Sequence, residues 1–125
     1  MVAMATLAIV APAAQASPSD ADCPGGYVCI FTDGNFGGEV FYVPDGGSID
    51  HLQDYHCGGC VSSAHPESNG TYDNMMSSWK NFSGRQYCWS FNPDKDGERH
   101  DMPNGVRVGQ VAGRENDQAS SLFPC

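Results

Sequence analysis

The alternation of apolar and polar positions along the chain predicts short β-strands joined by turns. The first strand signal is Tyr27–Phe31, where aromatic and β-branched residues follow a Pro-Gly-Gly turn. Asp33-Gly34-Asn35 favours a hairpin because these residues tolerate positive φ, and Glu39–Val43 is the returning strand. No stretch keeps a helical period for more than about two turns. The pattern therefore predicts an all-β protein.

The remaining elements are predicted to be short. Residues Ser48–Tyr55 are typical of a small capped helix or turn, with Ser48 at the N-cap and with Ile49, Leu52 and Tyr55 facing inward. Further strands are expected at Trp79–Phe82, Arg85–Phe91, Val106–Val111 and Ser120–Phe123.

Two hexapeptides share one pattern: Asp73-Asn74-Met75-Met76-Ser77-Ser78 and Asn116-Asp117-Gln118-Ala119-Ser120-Ser121. Each begins with two Asp or Asn residues and ends with two serines, and they lie 43 residues apart (73 to 116). Such a spacing indicates two copies of one supersecondary unit. Their carboxylate, amide and hydroxyl oxygens are the ligands that calcium prefers. Asp and Asn before Ser also form good turns, but turn chemistry does not explain the duplicated spacing.

Both hexapeptides resemble the calcium signature of microbial βγ-crystallin domains, Asn/Asp-Asn/Asp-x-x-Ser/Thr-Ser. The stretch from Phe31 through Phe36 to Gly38 also resembles the folded hairpin that opens such a motif. The resemblance implies two Greek-key motifs in one β-sandwich, with motif one over about 23–83 and motif two over about 84–125. It implies up to two calcium ions, bound by Asp73, Asn74 and Ser77 in one site and by Asn116, Asp117 and Ser120 in the other, with Asp33, Asn35, Asn92 and Asp94 as further hairpin ligands.

The two copies are unequal. Phe31 is 42 residues before Asp73, whereas the comparable aromatic residue Tyr87 is 29 residues before Asn116. Motif one therefore carries about a dozen extra residues, which we place between Cys57 and Asn69. In motif two no aromatic-x-Gly follows the turn over 92–97, so we expect an irregular hairpin there.

The N-terminal residues are typical of a secretory signal peptide. An apolar run over 2–13 precedes Ala14-Gln15-Ala16, a pattern of signal-peptidase cleavage, and the run is too short to span a membrane. No Lys or Arg precedes it, so we expect the natural start to lie upstream. The interpretation is a signal peptide over 1–16, a flexible segment over 17–22 and one domain over 23–125.

The charge of the chain excludes some partners. The 15 acidic and six basic residues give a net charge of −9. Nucleic acids and anionic membranes are recognised by clustered Lys and Arg, so neither is an expected partner. The balance favours cations, although acidity also keeps a secreted protein soluble.

Six cysteines in a small exported domain indicate a disulfide framework. Sequence alone allows 15 pairings. The Cys-Pro opening that runs from Cys23 to Cys29 resembles that of secreted actinobacterial-type peptidase inhibitors with a βγ-crystallin fold, which implies a Cys23–Cys29 pair. Cys88 and Cys125 would then join the last strand to motif two, and Cys57 and Cys60 remain.

Two other chemistries must be weighed for the Cys-x-x-Cys segment. Cys57 and Cys60, with His51, His56 and His65 nearby, could ligate zinc, or the two thiols could act in redox chemistry. A local disulfide is the simpler interpretation in an oxidising compartment. No nucleophile elbow, metallopeptidase helix or phosphate loop is present, so we do not expect an enzyme.

The resemblance implies a secreted monomer that binds calcium and inhibits an extracellular, often thermolysin-like, metallopeptidase. The enlarged loop from His56 to Asn69 is the expected inhibitory segment, because rigid loops commonly carry function. The alternatives are a calcium-stabilised structural or stress protein and a secreted killer-toxin-like protein without inhibitory activity.

Overall fold

The protein is a sandwich of two antiparallel sheets. The structure, a computed structural model, describes residues 19–125, so the predicted signal peptide lies outside the described residues. The strands are β1 (Tyr27–Asp33), β2 (Gly37–Pro44), β3 (Ser78–Asn81), β4 (Tyr87–Ser90), β5 (Arg99–Met102), β6 (Arg107–Val108) and β7 (Ser121–Pro124). One sheet has the order β2-β1-β3-β6 and the other β5-β4-β7. Single turns of 3-10 helix lie at Gly34–Phe36, Leu52–Asp54 and Pro66–Ser68.

The two halves exchange backbone segments. β6 belongs to the second half of the chain but pairs with β3 in the sheet of the first half. Ile49, from the first half, pairs with Leu122 in β7, and the two residues exchange backbone hydrogen bonds of 2.7 and 2.9 Å. Each half thus completes the sheet of the other, which confirms the predicted pair of Greek-key motifs.

The main core lies between the sheets. Val28 and Ile30 of β1, Tyr87 and Trp89 of β4 and Leu122 of β7 are buried there. These residues occupy alternate positions of their strands, so one face of each sheet is removed from water. Burial of such large side chains is the main stabilising contribution to the fold.

The predicted cap at Ser48 is wrong. The 3-10 turn begins at Leu52, after His51 in its N-cap position, because the backbone of Ile49 is already paired with Leu122. Leu52 is fully buried, as predicted, whereas Tyr55 is 39% exposed. The strand β5 was not predicted, since Arg99-His100-Asp101-Met102 has little apolar alternation.

The N-terminal segment that was expected to be flexible is anchored at Asp20 and Asp22. Asp20 exchanges backbone hydrogen bonds of 2.9 and 3.1 Å with Cys23. The carboxylate of Asp20 lies 2.8 Å from Lys80 and 2.8 Å from Arg107, and that of Asp22 lies 2.6 Å from Lys80. Among the described residues, no helix is long and apolar enough to cross a membrane.

Candidate metal-binding clusters and the long loop

The two hexapeptides are locked together by matching backbone hydrogen bonds. The amide of Asn74, in the second position of the first hexapeptide, donates to the carbonyl of Ala119 at 2.8 Å. The amide of Asp117, in the second position of the other, donates to Met76 at 3.1 Å. Asn74 and Asp117 both have positive φ, 58° and 60°. The two segments are therefore related by an approximate two-fold axis between the halves.

The last serine of each hexapeptide fixes a hairpin. The Ser78 hydroxyl donates to the carbonyl of Asp33 at 2.7 Å and accepts from the amide of Phe36 at 3.0 Å. The Ser121 hydroxyl likewise donates to the carbonyl of Asn92 at 2.9 Å and accepts from the amide of Lys95 at 3.1 Å. Both serines are fully buried. These hydroxyls thus fix the same two hairpin positions in each half.

The expectation of an irregular second hairpin is wrong. Asn35, Phe36 and Gly38 have positive φ in the first hairpin, and Asp94, Lys95 and Gly97 repeat that sequence of conformations in the second. The structural counterpart of Phe31 is Ser90, not Tyr87, because the backbone amides of Ser77 and Ser120 donate to the carbonyls of Phe31 and Ser90 respectively. The second hairpin therefore has the backbone shape of the first, although Ser90 and Lys95 stand where the first has Phe31 and Phe36.

The first candidate cluster of oxygen-bearing side chains lines a cavity of about 290 Å³. Asp33 and Ser77 reach it from the first half, and Asn116 and Asp117 reach it from the second. Burial raises the pKa of the Asp117 carboxyl, and the negative charge of Asp33 adds to this, while a hydrogen bond from Ser62 partly offsets it. The cavity is therefore a place where a cation would relieve unfavourable negative charge.

The second cluster is closed and buried. Asn74 donates to Asp73 at 3.2 Å, and the Ser120 hydroxyl donates to the Asn74 amide oxygen at 3.3 Å. The side chain of Asp73 is only 7% exposed, yet its Oδ1 atom has no hydrogen-bond partner among the described residues. A buried carboxylate oxygen without a partner is unfavourable. Its chemistry fits a cation ligand.

The two clusters mix residues of the two hexapeptides. Sequence analysis placed Ser77 with Asp73 and Asn74, but Ser77 lies with Asp117, and Ser120 lies with Asn74. The structure corrects this grouping. In each hexapeptide the first two positions face one cluster and the fifth position faces the other.

Of the four predicted hairpin ligands, only Asp33 lines the cavity. Asn35 faces Gly109, and the Asn92 side chain lies against Gly97. Asp94 is 3.0 Å from His51 in an ion pair. These three side chains are therefore not part of the first cluster; Asn92 is the counterpart of Asp33 in the second hairpin.

The first half is longer because of one loop. The hydrogen bond from Ser78 to Asp33 joins residues 45 apart, whereas the equivalent bond from Ser121 to Asn92 joins residues 29 apart. The first half is therefore sixteen residues longer between these points. Leu52 and Val111 are still equivalent, since their amides donate at 3.0 Å to Ser120 and Ser77. The extra residues therefore lie between Leu52 and Asp73, and we refer to residues 53–72 as the long loop.

The long loop is tied to itself and to both clusters. The amide of Cys57 donates to Gly70 at 2.8 Å, and the amide of Gly70 donates to Cys60 at 2.9 Å. The Ser62 hydroxyl donates to Asp117 at 3.3 Å, and the Ser68 hydroxyl donates to Asp73 at 2.9 Å. Gly59, Cys60 and Val61 line the cavity of the first cluster.

All six cysteines form disulfides: Cys23–Cys29, Cys57–Cys60 and Cys88–Cys125. The predicted framework is confirmed. Cys57 and Cys60 are paired with each other, so they offer no thiolate to zinc. His65 is 3.2 Å from Glu67, and His51 pairs with Asp94. The zinc hypothesis is therefore wrong for this pair of thiols.

A separate group of potential ligands lies on β5 and the following loop. Glu98, His100 and Glu115 have side-chain atoms close together. Glu98 is already paired with Arg114 at 2.6 Å and with His100 at 2.6 Å. These bonds hold the pKa of Glu98 down, to about 2. This group is an ion-pair network and was not predicted from the sequence.

Comparison with known proteins gives a family and a fold. The sequence model of peptidase inhibitor family I36 matches residues 16–100. None of the curated proteins matches the chain at a significant level.

Several solved βγ-crystallin structures resemble this one. One of them comes from work on the evolution of the eye lens βγ-crystallin domain fold. It is 18% identical to this chain, the alignment covers 89% of this chain and 91% of that chain, and the TM-score is 0.62. A βγ-crystallin domain from Clostridium beijerinckii is 20% identical, with 78% and 94% covered and a TM-score of 0.55. A βγ-crystallin from Ciona intestinalis is 15% identical, with 80% and 100% covered and a TM-score of 0.56. At these identities the likeness shows the fold.

Proposed function

Because the chain belongs to peptidase inhibitor family I36, we propose that it is a secreted, monomeric inhibitor of an extracellular metallopeptidase and that it binds calcium. Membership of an inhibitor family confirms the prediction that the protein is not an enzyme. The family and the three disulfides are typical of an extracellular protein. Export should be accompanied by cleavage after Ala16, and N-terminal sequencing of the secreted protein should then give a start at Ser17.

The observation that carries the inhibitory proposal is the exposure of Val61 on a constrained loop. Val61 is 74% exposed, more than any other large apolar side chain of the described residues. It follows Cys60, which is held by the disulfide to Cys57, and it precedes Ser62, which is buried. A side chain that is exposed on a pre-ordered backbone can enter a partner's pocket with little loss of conformational entropy. Val61 is therefore the proposed anchor of the peptidase contact, within the predicted segment His56 to Asn69.

A substitution at Val61 tests this contact. Val61→Asp places a charge where an apolar pocket is expected, and the inhibition constant against a susceptible secreted metallopeptidase should rise by about 30-fold or more, the factor that corresponds to a hot-spot residue. Tyr42→Asp is the matched control, because Tyr42 is exposed on strand β2. Equal inhibition by the wild type and Val61→Asp would exclude Val61, and the hairpin over 92–97 would be tested next.

A deletion within the loop is a poorer test. Residues 62–68 include Ser62 and Ser68, which are 2% exposed and contact Asp117 and Asp73. Their removal would disturb both clusters as well as the loop. The point substitution keeps Ser62 and Ser68 in place. Because Val61 also lines the cavity of the first cluster, calcium calorimetry of Val61→Asp must give the wild-type result for a loss of inhibition to be assigned to the peptidase contact.

The calcium proposal is supported by the ligand chemistry of the two clusters. The first combines Asp33, Asp117, Asn116 and Ser77 around the cavity. The second holds Asp73 with a buried oxygen that has no partner among the described residues. Calcium binds carboxylate, amide and hydroxyl oxygens, and its positive charge would balance the negative charge of the two clusters. The net charge of −9 also favours a cation.

Calorimetry and thermal unfolding test calcium binding. A ligand that binds only the folded protein at ten times its Kd adds about 1.4 kcal/mol of stability, and extracellular modules bind calcium with Kd values of about 0.1 to 1 mM. Asp117→Ala with Ser77→Ala should remove one binding event and leave the other. Asp96→Ala, an exposed acid, is the control for charge. Absence of heat and of any Tm change up to about 10 mM calcium would contradict the proposal.

A structural role is the second candidate function. The solved neighbours share the βγ-crystallin fold, and this fold alone does not imply inhibition. If calcium raises Tm but no secreted metallopeptidase is inhibited with or without calcium, the calcium-stabilised structural role is favoured over the inhibitory one.

A further inference from the structure

The long loop places one buried serine in each oxygen cluster. Ser62 and Ser68 are both 2% exposed although they lie in a loop whose other residues are mostly exposed. Their hydroxyls point to Asp117 and Asp73, the acidic residues of the two clusters. The second half of the chain has no counterpart of this loop. These serines are therefore not part of the repeated hexapeptide pattern, and the calcium signature does not include them.

Ser62 connects the cavity to the exposed end of the loop. Its hydroxyl donates to Asp117 at 3.3 Å and accepts from the amide of His65 at 3.2 Å. Its amide donates to the side chain of Asn69 at 2.8 Å. Val61, the adjacent residue, lines the same cavity on one side and is exposed to solvent on the other. A movement of Ser62 would thus move Val61.

Ser68 occupies the matching place in the second cluster. Its hydroxyl donates to Asp73 Oδ2 at 2.9 Å and accepts from Nδ2 of the Asn74 side chain at 3.0 Å. The other oxygen of Asp73 is the buried atom that has no partner among the described residues. A buried, unpaired carboxylate oxygen of the residue that the Ser68 hydroxyl contacts is one that a hard divalent cation would satisfy.

We propose that the long loop supplies an oxygen ligand to each cluster, Ser62 beside Asp117 and Ser68 beside Asp73, so that calcium binding further restrains the disulfide-bonded loop that presents Val61. The proposal rests on the calcium and inhibitory roles given above and adds their coupling. Linkage then requires that calcium and the peptidase strengthen each other's binding by the same factor. The cation is a ligand of the inhibitory loop as well as of the sandwich.

Hydrogen exchange of the wild-type protein tests the coupling without a variant. The amides of Cys57, Ser62 and Gly70 are bonded within the loop. If opening of the loop releases calcium, their protection should rise about tenfold when calcium is at ten times its Kd. The amide of Gly26, which donates to Phe82 outside the long loop, is the internal control, because a local opening there does not release calcium and its protection should change less. Unchanged loop protection in protein that calorimetry shows to be calcium-bound would overturn the proposal.

Serine substitutions test the ligands themselves. Ser62→Ala and Ser68→Ala should each lower the affinity of one calcium site by about tenfold, the lower end of the effect of removing a group that supports a metal site. Ser63→Ala, at the exposed neighbouring position, should leave both affinities unchanged. Wild-type affinities in both Ser62→Ala and Ser68→Ala, or no calcium binding to the wild type, would also overturn the proposal.

The peptidase is not needed for these measurements, so the two proposals can fail separately. If calcium protects the loop amides but no peptidase is inhibited, the inhibitory function is wrong and the loop ligands stand. If a peptidase is inhibited equally with and without calcium, and the loop amides do not respond, the inhibitory function stands and the coupling is wrong.

Discussion

At the residue scale, Asp20 is the clearest electrostatic anchor. Hydrogen bonds from Arg107 and Lys80 hold the pKa of Asp20 well below its usual value. Burial, the largest single influence on Lys80, lowers its pKa, but the carboxylates of Asp20 and Asp22 together raise it above its usual value. Lys80 also lies 4.3 Å from the centroid of the Phe36 ring. Two acidic residues from a segment that was expected to be flexible thus neutralise a cation that is 4% exposed.

The depressed pKa of Asp20 predicts a specific loss of stability in acid. A carboxyl whose folded pKa is below its unfolded pKa stabilises the protein above the unfolded value of about 3.9, and this contribution is lost as the pH falls towards the folded value. Asp20→Asn should lower stability at neutral pH and reduce the slope of the unfolding free energy between about pH 4 and pH 2.

Denaturant titration at several pH values measures this slope. Glu98 also has a lowered pKa, but it is present in both proteins, so its contribution cancels in the comparison. Asp54→Asn is the control, because Asp54 is exposed and takes part in none of the ion pairs found among the described residues. Identical slopes in the wild type and Asp20→Asn would show that the ion pairs of Asp20 do not stabilise the fold.

At the scale of elements, the two hairpins have one shape and different chemistry. In the first half Lys80 of β3 lies over the hairpin residue Phe36. In the second half the positions are reversed: the hairpin residue Lys95 lies 5.6 Å from the centroid of Phe123 in β7. A cation and an aromatic ring therefore meet at equivalent places in both halves. The first hairpin was predictable from its aromatic-x-Gly pattern, whereas the second was not, because its aromatic residue stands on another strand.

The hairpin glycines should be more sensitive to substitution than a glycine of equal φ elsewhere. Gly38 and Gly97 have φ of 74° and 81°, and an added Cβ would meet the side chains of Thr32 and Asn92 respectively. Gly46 has φ of 86° and open space. Alanine at any of the three positions costs about 1 to 2 kcal/mol for its conformation, but only Gly38→Ala and Gly97→Ala add steric overlap, of about 1 kcal/mol or more. Thermal unfolding of the three variants gives the comparison; equal losses would contradict it.

At the scale of the whole molecule, the sequence indicated the parts better than their assembly. The repeated hexapeptides and the position of the extra residues could be recognised locally, and the family resemblance led to the disulfide pairs. The exchange of Ile49 and β6 between the sheets could not, and neither could the mixing of hexapeptides in the clusters. Both depend on how the halves dock, which is determined by contacts distant in sequence. Ser62 and Ser68 were missed as cluster residues because a serine in a polar loop carries no periodic signal.

The Cys88–Cys125 disulfide should contribute more to stability than the local one in the long loop. It joins residues 37 apart, whereas Cys57 and Cys60 are 3 apart. In the chain-entropy model the first is worth about 4 kcal/mol and the second about 2 kcal/mol less. Denaturant titration of Cys88→Ala/Cys125→Ala and of Cys57→Ala/Cys60→Ala tests the order. A larger loss for the second pair would show that local packing outweighs loop entropy.

The exchange of segments between the sheets limits when the sandwich can close. Ile49 finds its partner only in β7, the last strand along the described chain, and β3 finds its outer partner only in β6. During synthesis from the N-terminus, the first half therefore emerges without the strand that completes its sheet and with its own Ile49 unpaired. The sandwich therefore cannot close before β7 has been synthesised. Late closure of this kind would suit the secretion proposed above, because the sheets are incomplete while the chain is still being synthesised.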